Sequence, residues 1–290
     1  MPKTAVIVST YMQPGLLDRC LQALARQSLP DFELLIADDG SDQRTAQVIE
    51  RHRAGFKQPV QHIWQADEGF RKTRILNRAV LATRAAYLVF IDGDCVVHPD
   101  FLSEHMAAAQ PGVFLNGSLI RLSGALSDRV TPAAIASGEV FRAGWLLRNG
   151  GGLNRRFLRL SLPYRLRCWL NRHSPTELYW LGSNSSCHRS DLLAVNGFDN
   201  RFTYGFEDGD FGNRLQNYGV AVHTVRWTAV ALHLWHGRPW SSAEIMERNR
   251  ALMAPLAAGG HYRAIDGLAE LQQARGDQQS DQRAVTKQLG

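Results

Sequence analysis

The stretch of sequence that decides the fold reads Tyr87-Leu88-Val89-Phe90-Ile91-Asp92-Gly93-Asp94. Its first five residues are apolar, β-branched or aromatic, a run that is typical of a buried strand. Two carboxylates separated by a glycine follow, and if the extended backbone continues, Asp92 and Asp94 project from the same face. Paired carboxylate oxygens at an exposed strand end suit Mg²⁺ or Mn²⁺, although Asp-Gly-Asp is also a common turn sequence.

The rest of the first half alternates between strand and helix patterns. Strands are predicted at Thr4–Ser9, Phe32–Ala37 and Val60–Trp64, with helices that end near residues 24, 54 and 82. This alternation predicts an α/β fold with a mostly parallel central sheet flanked by helices, whose ligands bind at the carboxyl ends of the strands. The sequence contains neither the G-x-G-x-x-G of a dinucleotide-binding fold after the first strand nor a P-loop, which disfavours both.

Polar side chains recur where these predicted strands end. Thr10 follows the first strand, Asp38 and Asp39 follow the second, and Asp67 lies beyond the third. Hydroxyls and carboxylates at these positions can bind a base or a ribose, and basic residues at the next helix start can neutralise phosphates. These basic residues are Arg71, Lys72 and Arg74. Each of these side chains, taken singly, is also an ordinary capping or turn residue.

The second half is less regular. Its patterns predict a helix over 99–109, a strand over 113–120, a strand-like stretch over 179–188 and paired strands over 220–227 and 229–235. Glu207 and Asp208 open a further helix, where they either compensate the helix dipole or form a pocket wall between aromatic and glycine residues. His233 and His236 end the last strand, and with the aspartate pair they are candidate metal ligands.

An arginine-rich insert spans residues 141–173, with eight arginines, interleaved aromatic and leucine residues, and no acidic residue. Such a segment favours contact with an anionic membrane or an acidic substrate. An irregular insertion whose arginines are merely solvated is the alternative.

Composition and charge set broad bounds. A hydrophobic content of 44% is ordinary for a soluble globular protein, and a net charge of +6 permits acidic partners without selecting one. Four widely spaced cysteines indicate buried free thiols, and no apolar run approaches the ~20 residues that span a bilayer. With no signal peptide evident at Met1, the chain is predicted to be cytoplasmic. Residues 241–275 read as a helical extension, and the Gln-rich residues 276–290 as a disordered tail.

The order of these motifs resembles the family 2 glycosyltransferases with the GT-A fold, in particular the bacterial branch similar to chondroitin polymerase and β-1,4-galactosyltransferases. The motifs that carry this resemblance are Val-Ser-Thr-Tyr (8–11), Ala-Asp-Asp-Gly-Ser (37–41), Asp-Glu-Gly-Phe-Arg-Lys (67–72), Ile-Asp-Gly-Asp (91–94), Gly-Phe-Asp (197–199) and Gly-Phe-Glu-Asp (205–208). The resemblance implies a glycosyltransferase domain over 1–240, divided into a nucleotide-binding part over about 1–120 and an acceptor and catalytic part over about 121–240.

The resemblance also implies roles for individual residues. Asp208 would be the catalytic base, Glu207 would bind a sugar or acceptor hydroxyl, and Asp94, Asp92 and one of His233 and His236 would hold Mn²⁺ or Mg²⁺. The remaining nucleotide-sugar-binding residues would be Thr10, Tyr11, Asp39, Asp67, Arg71, Lys72, Asn77 and Gly93. The acceptor and sugar pocket would include Trp180, Gly182, Asn184 and Phe206.

The implied reaction is a metal-dependent, inverting transfer of a hexose or N-acetylhexosamine from a UDP-sugar to a hydroxyl of a glycan or glycolipid, in surface polysaccharide or lipopolysaccharide synthesis. Processive members carry Q-x-x-R-W and membrane spans that this sequence lacks, which favours single additions. A peripheral contact with an anionic membrane is compatible with the arginine-rich insert, and no nucleic-acid partner is predicted. The alternatives are a nucleotidyltransferase that forms nucleotide-sugars, a glycosidase, and a non-catalytic nucleotide-sugar or glycan-binding module.

Overall fold

Ten strands build a seven-stranded and a three-stranded sheet in the part of the chain described by the computed structural model, residues 3–175, 179–237, 242–257 and 260–274. The strands are β1 (Thr4–Thr10), β2 (Phe32–Asp38), β3 (Val60–Trp64), β4 (Tyr87–Asp92), β5 (Cys95–Val97), β6 (Val113–Asn116), β7 (Ser118–Arg121), β8 (Ser185–His188), β9 (Ala221–Thr224) and β10 (Val230–His233).

Helices cover both faces of the larger sheet. They are α1 (Pro14–Leu24), α2 (Gln43–Arg53), α3 (Lys72–Ala82), α4 (Phe101–Ala108), α5 (Gly124–Arg129), α6 (Pro132–Ser137), α7 (Ala143–Arg148), α8 (Leu158–Ser161), α9 (Tyr164–His173), α10 (Arg189–Ala194), α11 (Glu207–Asn217) and α12 (Ala243–Ala257). Local signals start several of them. Pro14 occupies the first turn of α1, and the Asp42 carboxylate accepts a hydrogen bond from the Arg44 N–H at the start of α2.

The larger sheet has the strand order β3-β2-β1-β4-β8-β6-β9. Four of its six strand pairs are parallel, and β8 runs antiparallel to both of its neighbours. Every residue of β1 is buried, as a central parallel strand with both faces covered requires. This confirms the predicted α/β class with a mostly parallel sheet. In register, Ser9 lies beside Asp92 and Thr10 beside Asp38, so the polar strand ends meet at one edge.

The three-stranded sheet, in the order β5-β10-β7, joins segments that are far apart in sequence. β10 pairs antiparallel with β5 and parallel with β7, so that His233 lies beside both Cys95 and Arg121. Because Cys95 directly follows Asp94, this pairing also brings His233 to the aspartate at the end of the Asp-Gly-Asp turn.

Three strand predictions were wrong in detail. The strand predicted over 113–120 is two strands in different sheets, divided at Gly117, where an added Cβ would lie 2.0 Å from the Asn184 side chain. The strands predicted to pair over 220–227 and 229–235 also lie in different sheets, with β9 beside β6 and β10 between β5 and β7. In the stretch 179–188, only residues 185–188 form a strand, because residues 182–183 turn the chain.

The arginine-rich insert is ordered structure. It contains α7, α8 and α9 and a 3-10 turn at Arg155–Phe157, and its Trp145, Leu146 and Phe157 belong to the main hydrophobic core. Leu147, Leu158 and Trp169 remain exposed on its outer side. The insert therefore has a packed inner face and a basic outer face.

The C-terminal prediction is only partly testable in the described residues. α12 lies where a helix was predicted, but residues 262–267 are irregular and the last described helical turns cover 268–274. The predicted tail, 276–290, lies outside the described residues. All four cysteines are free. No described helix has both the length and the apolarity needed to cross a membrane.

Candidate active site

A cavity of about 400 Å³ opens where the strand ends meet the three-stranded sheet and the start of α11. Eleven of the predicted site residues line it. They are Thr10, Tyr11, Asp39, Lys72, Asp92, Gly93, Asp94, Glu207, Asp208, His233 and His236. The fold thus brings together side chains from across the chain around one cavity.

Asp94, His233 and His236 form one cluster at this cavity, with a potential ligand atom from each residue within 4.8 Å of the others. The Nε2 atom of His236 lies 2.8 Å from Asp94 Oδ2, and Nε2 of His233 lies 3.4 Å from the same oxygen. Burial disfavours the Asp94 carboxylate, yet the hydrogen bond from His236 and the charges of both histidines hold its pKa below the ordinary value. Two imidazoles and one carboxylate suit Mn²⁺ or a similar divalent cation and leave coordination positions for a ligand.

Asp92 lies beside this cluster but outside it. β4 ends at Asp92 and the chain turns at Gly93, so the extended geometry that would have aimed both aspartates at one ion does not persist. The Asp92 carboxylate accepts hydrogen bonds from the Lys72 ammonium, at 2.7 Å, and from the Ser9 hydroxyl. At Gly93 an added Cβ would lie 3.2 Å from the Ser9 carbonyl oxygen, so the turn packs tightly against β1.

Lys72 stands among three carboxylates. It pairs with Asp92, and the charges of Asp208 and Glu207 act on it as well. Burial opposes its positive charge, but the three carboxylates together outweigh burial and raise its pKa. The side chain at the start of α3 is therefore a fixed cation at the floor of the cavity.

Glu207 and Asp208 begin α11 on the opposite wall. Gly205 and Phe206, with φ angles of 85° and 70°, turn the chain immediately before the helix. Burial, followed by the charge of Asp208, raises the pKa of Glu207 to about 7. Burial also raises the pKa of Asp208, opposed by Lys72 and by a hydrogen bond from the Gly182 N–H to Asp208 Oδ2 at 2.9 Å.

The second carboxylate oxygen of Asp208, Oδ1, has no hydrogen-bond partner among the described residues, although that atom is buried from solvent. The wall beside it requires glycine at 182, because an added Cβ there would lie 2.6 Å from Oδ1. Asp208 thus has one anchored oxygen and one buried oxygen that accepts no hydrogen bond from the described residues, and a general base needs such an unoccupied acceptor.

The opposite end of the cavity is built by β1, β2 and the loop after β3. Asp39 accepts hydrogen bonds from the Arg71 N–H at 2.8 Å and the Gln65 amide at 2.6 Å. Burial raises the pKa of Asp39 in spite of these bonds. Tyr11 donates its hydroxyl hydrogen to Asp67 at 3.0 Å. These groups form a rim of acceptors and an aromatic ring.

Seven predicted site residues do not line the cavity. Asn77 and Asn184 are fully buried and bond to the backbone, Asn77 to Phe198 and Asn184 to Ser118 and Ala229. Trp180 is also fully buried and packs edge-on against the Phe211 ring. The others are Asp67 and Arg71 in the loop after β3, Gly182 behind Asp208, and Phe206 before α11.

Other cavity residues carried no sequence signal strong enough to single them out. Gln13 lies 3.3 Å from Nδ1 of His236, and Arg121 and Tyr204 reach the cavity from β7 and from the turn before α11. Arg121 ends a strand whose partner, β10, is distant in sequence, so only the pairing of the small sheet places it at the site. Tyr204 begins the Tyr-Gly-Phe sequence that directly precedes the acidic pair, and this position was the only local indication that Tyr204 lies at the site.

Comparisons with known proteins agree with this geometry. Residues 5–120 match the model of the family described as glycosyl transferase family 2, and residues 170–236 match that described as the N-terminal domain of galactosyltransferase. Validoxylamine A glucosyltransferase of Streptomyces hygroscopicus subsp. jinggangensis is 29% identical over 80% of this chain and 56% of its own length. Chondroitin synthase of Escherichia coli is 23% identical over 79% of this chain and 34% of its own length. The chain spans about half the length of the first of these relatives and about a third of the second.

Solved structures show the same architecture. TarS 1–349 of Staphylococcus aureus, in complex with UDP-GlcNAc, superposes with a TM-score of 0.60 at 18% identity, over 93% of this chain and 69% of that one. The mannosyltransferase PcManGT of Pyrobaculum calidifontis, in complex with GDP-Man and Mn²⁺, gives a TM-score of 0.58 at 16% identity, over 88% and 64% of the two chains.

The strand order, the cavity at the carboxyl ends of the strands and these superpositions define the class as proteins of the GT-A fold. Within that class, residues 5–120 match the family 2 glycosyltransferases, and a glucosyltransferase is 29% identical over 80% of this chain. The resemblance in its motifs is thereby confirmed.

Proposed function

We propose that this chain transfers a hexose or N-acetylhexosamine from a nucleotide-sugar, most simply a UDP-sugar, to a hydroxyl of a glycan or glycolipid, with inversion at the anomeric carbon. One observation carries the proposal. A His-His-Asp cluster suited to a divalent cation lines the same cavity as an acidic pair, one of whose oxygens, Asp208 Oδ1, has no hydrogen-bond partner among the described residues. A glycosidase would have no use for the first of these groups, and a binding module would have no use for the second.

The donor is proposed to lie with its nucleoside along β1 and β2. Thr10, Tyr11 and Asp39 offer a hydroxyl, an aromatic ring and a carboxylate there, which suit a base and a ribose. Asp94, His233 and His236 would hold Mn²⁺ or Mg²⁺ near the diphosphate. When bound, such an ion neutralises charge that develops on the leaving nucleoside diphosphate.

Asp208 is proposed to be the general base. Its Oδ2 is anchored by the Gly182 N–H, and its Oδ1, which has no partner among the described residues, would accept the proton of the attacking acceptor hydroxyl. Glu207 would bind a hydroxyl of the acceptor or the donor sugar. The positive charge of Lys72 opposes the effect of burial on both carboxylates, because it lowers the pKa values of Glu207 and Asp208 that burial raises.

The setting of this reaction is proposed as surface polysaccharide or lipopolysaccharide synthesis at the cytoplasmic side of the membrane, with single additions. The exposed arginines of the insert support a peripheral contact with anionic lipid. We also propose that the chain divides into a nucleotide-binding part and an acceptor part. The segment β1–β4 supplies the nucleotide end of the cavity, and α11 supplies the catalytic pair.

Cleavage of nucleotide-sugars in the absence of acceptor tests the proposal. UDP-, GDP- and dTDP-sugars would be incubated with the protein and Mn²⁺, and the released nucleoside diphosphate measured. We expect release from a UDP-sugar, its loss on chelation, and its return on adding metal. Binding of every nucleotide-sugar without any cleavage would favour a binding module, and undiminished cleavage in excess chelator would exclude the metal role.

A further inference from the structure

A second, smaller pocket of about 130 Å³ adjoins the active-site cavity. The two share Leu119, Arg121 and Leu181 as walls. The small pocket is only about four times the ~30 Å³ that one water occupies in the liquid, so it can hold a charged group but not a nucleotide.

Arginines from three separate segments line this pocket. Arg121 comes from the end of β7, Arg156 from the 3-10 turn of the insert, and Arg226 from the segment after β9. Behind them lies Arg159, which is only 3% exposed and donates from Nη1 to the Ser118 hydroxyl at 2.8 Å. Ser118 itself lines the pocket, so Arg159 forms part of its supporting wall.

The positive charges here face one another. Burial, followed by the charges of Arg226, Arg156 and Arg155, lowers the pKa of Arg159 to about 10. Within the described part of the chain, no carboxylate lies within 4.0 Å of the guanidinium groups of Arg121, Arg156 or Arg159. Guanidinium groups that converge on one depression suit a phosphate or carboxylate, which accepts their hydrogen bonds in pairs.

The position of the pocket decides which substrate would carry that anion. In the sheet order, β3, β2 and β1 build the nucleotide end of the cavity, whereas β6 and β9 lie at the opposite edge. Asn116 of β6 and Arg226 just beyond β9 line the small pocket. Its shared wall, Leu181, directly precedes Gly182, which anchors the proposed base Asp208. An anion bound here therefore belongs on the acceptor side.

We propose that this pocket binds a negatively charged group of the acceptor, a phosphate or a carboxylate on the sugar that receives the transferred residue. The inference rests on the proposed function for the identity of the acceptor side. It defines the acceptor as an acidic saccharide, and Arg156 as a residue that selects it.

The test uses simple sugars that differ only in charge. Binding of glucose 6-phosphate, glucuronate and glucose to the full chain would be measured by ligand-observed NMR, with UDP and Mg²⁺ saturating so that the cation cluster is filled. We expect the acidic sugars to bind and glucose to bind much more weakly. Arg156→Gln should weaken the acidic sugars by roughly tenfold to a hundredfold, the range for losing a hydrogen bond to a charged group.

Arg165→Gln is the matched control, since Arg165 is an exposed arginine of the same insert that does not line the pocket. It should leave the binding of both acidic sugars unchanged, and neither variant should change the affinity for UDP. If only one acidic sugar responds to Arg156→Gln, its phosphate or carboxylate is the group that the pocket binds.

Several results would overturn the proposal. They are equal binding of glucose and the acidic sugars, equal losses in the two variants, or a loss of UDP affinity in Arg156→Gln that matches the loss for the sugars. Reduced binding of Arg156→Gln to anionic vesicles, with unchanged binding of the acidic sugars, would assign the pocket to a membrane surface instead. Failure of the proposed function is distinguishable, because it would appear as absent UDP binding in the wild-type protein, and the sugars would then be measured without nucleotide.

Discussion

Replacing Asp208 by asparagine should separate catalysis from binding. The asparagine side-chain oxygen can still accept the hydrogen bond from the Gly182 N–H, so the turn before α11 is kept. What is lost is the carboxylate that accepts a proton. Losing a positioned base costs ~10²–10⁴-fold in turnover, which is about 3–5 kcal/mol in the activation barrier. We therefore expect a fall of that size in the rate of UDP-sugar cleavage.

The same substitution should leave the fold intact. Asp208 and Glu207 are two buried carboxylates side by side, and the charge of Asp208 is, after burial, the main cause of the raised pKa of Glu207. Removing one charge relieves the other, so the thermal midpoint should be unchanged or slightly raised. The pKa of Glu207 should fall from about 7, and the remaining pH dependence of the rate should move to lower pH.

The assay is release of UDP from a UDP-sugar, with UDP and metal affinity measured by calorimetry on the same samples. Glu207→Gln is the neighbouring control, and it should change the apparent affinity for sugar more than the turnover. A rate for Asp208→Asn within about threefold of wild type would refute the assignment of the base. Asp210 would not then replace it, because that carboxylate is fully buried and bonded to Arg214 at 2.7 and 2.9 Å.

Three further predictions concern the metal, the membrane and the core. Asp94→Asn should weaken Mn²⁺-dependent UDP binding tenfold or more while leaving UDP binding in chelator unchanged, and calorimetry with and without metal would check this. If residues 141–173 contact lipid, co-sedimentation with liposomes should rise with anionic lipid and fall with salt, at ~1 kcal/mol per basic residue engaged, whereas equal binding to neutral liposomes would contradict the contact. Finally, burial lowers the pKa of His105 from 6.5 to about 4, so the unfolded chain takes up a proton first as the pH falls. The free energy of unfolding should accordingly drop by up to about 3 kcal/mol between pH 6.5 and 4, and urea titrations across that range that show no drop would contradict this burial effect.

Local patterns were sufficient where local forces decide the structure. The apolar runs of β1, β2 and β4 form central strands because their apolar side chains point to both faces of the sheet and both faces must therefore be buried. Pro14 favours the start of α1 through its fixed backbone angle, and Asp42 favours the start of α2 by capping it. Both effects involve only residues that are close in sequence. The polar ends of these strands were therefore predictable as one edge of a sheet, and with them most of the nucleotide end of the cavity.

The pairing of strands that are far apart in the chain could not be predicted from local sequence patterns. β5 has three residues, and β10 is flanked by strand-like sequence on its N-terminal side, so neither reveals that they pair with each other and with β7. This pairing delivers His233 and Arg121 to the site. Long-range packing likewise places two predicted pocket residues in the interior, since Trp180 packs against the Phe211 ring and Asn184 donates to the Ser118 carbonyl.

Lys72 shows how the charge balance of the site depends on such details. Its place at a helix start suggested a partner for phosphate, but its ammonium lies 2.7 Å from Asp92, and the charges of Asp92, Asp208 and Glu207 together raise its pKa against the effect of burial. Because three carboxylates surround Lys72, they neutralise most of the positive charge with which it could bind a diphosphate. On the proposed mechanism, the positive charge that a leaving diphosphate needs would then come from a cation held at Asp94 and the two histidines. On this reasoning, loss of the metal should impair departure of the nucleotide more than loss of any single basic residue does.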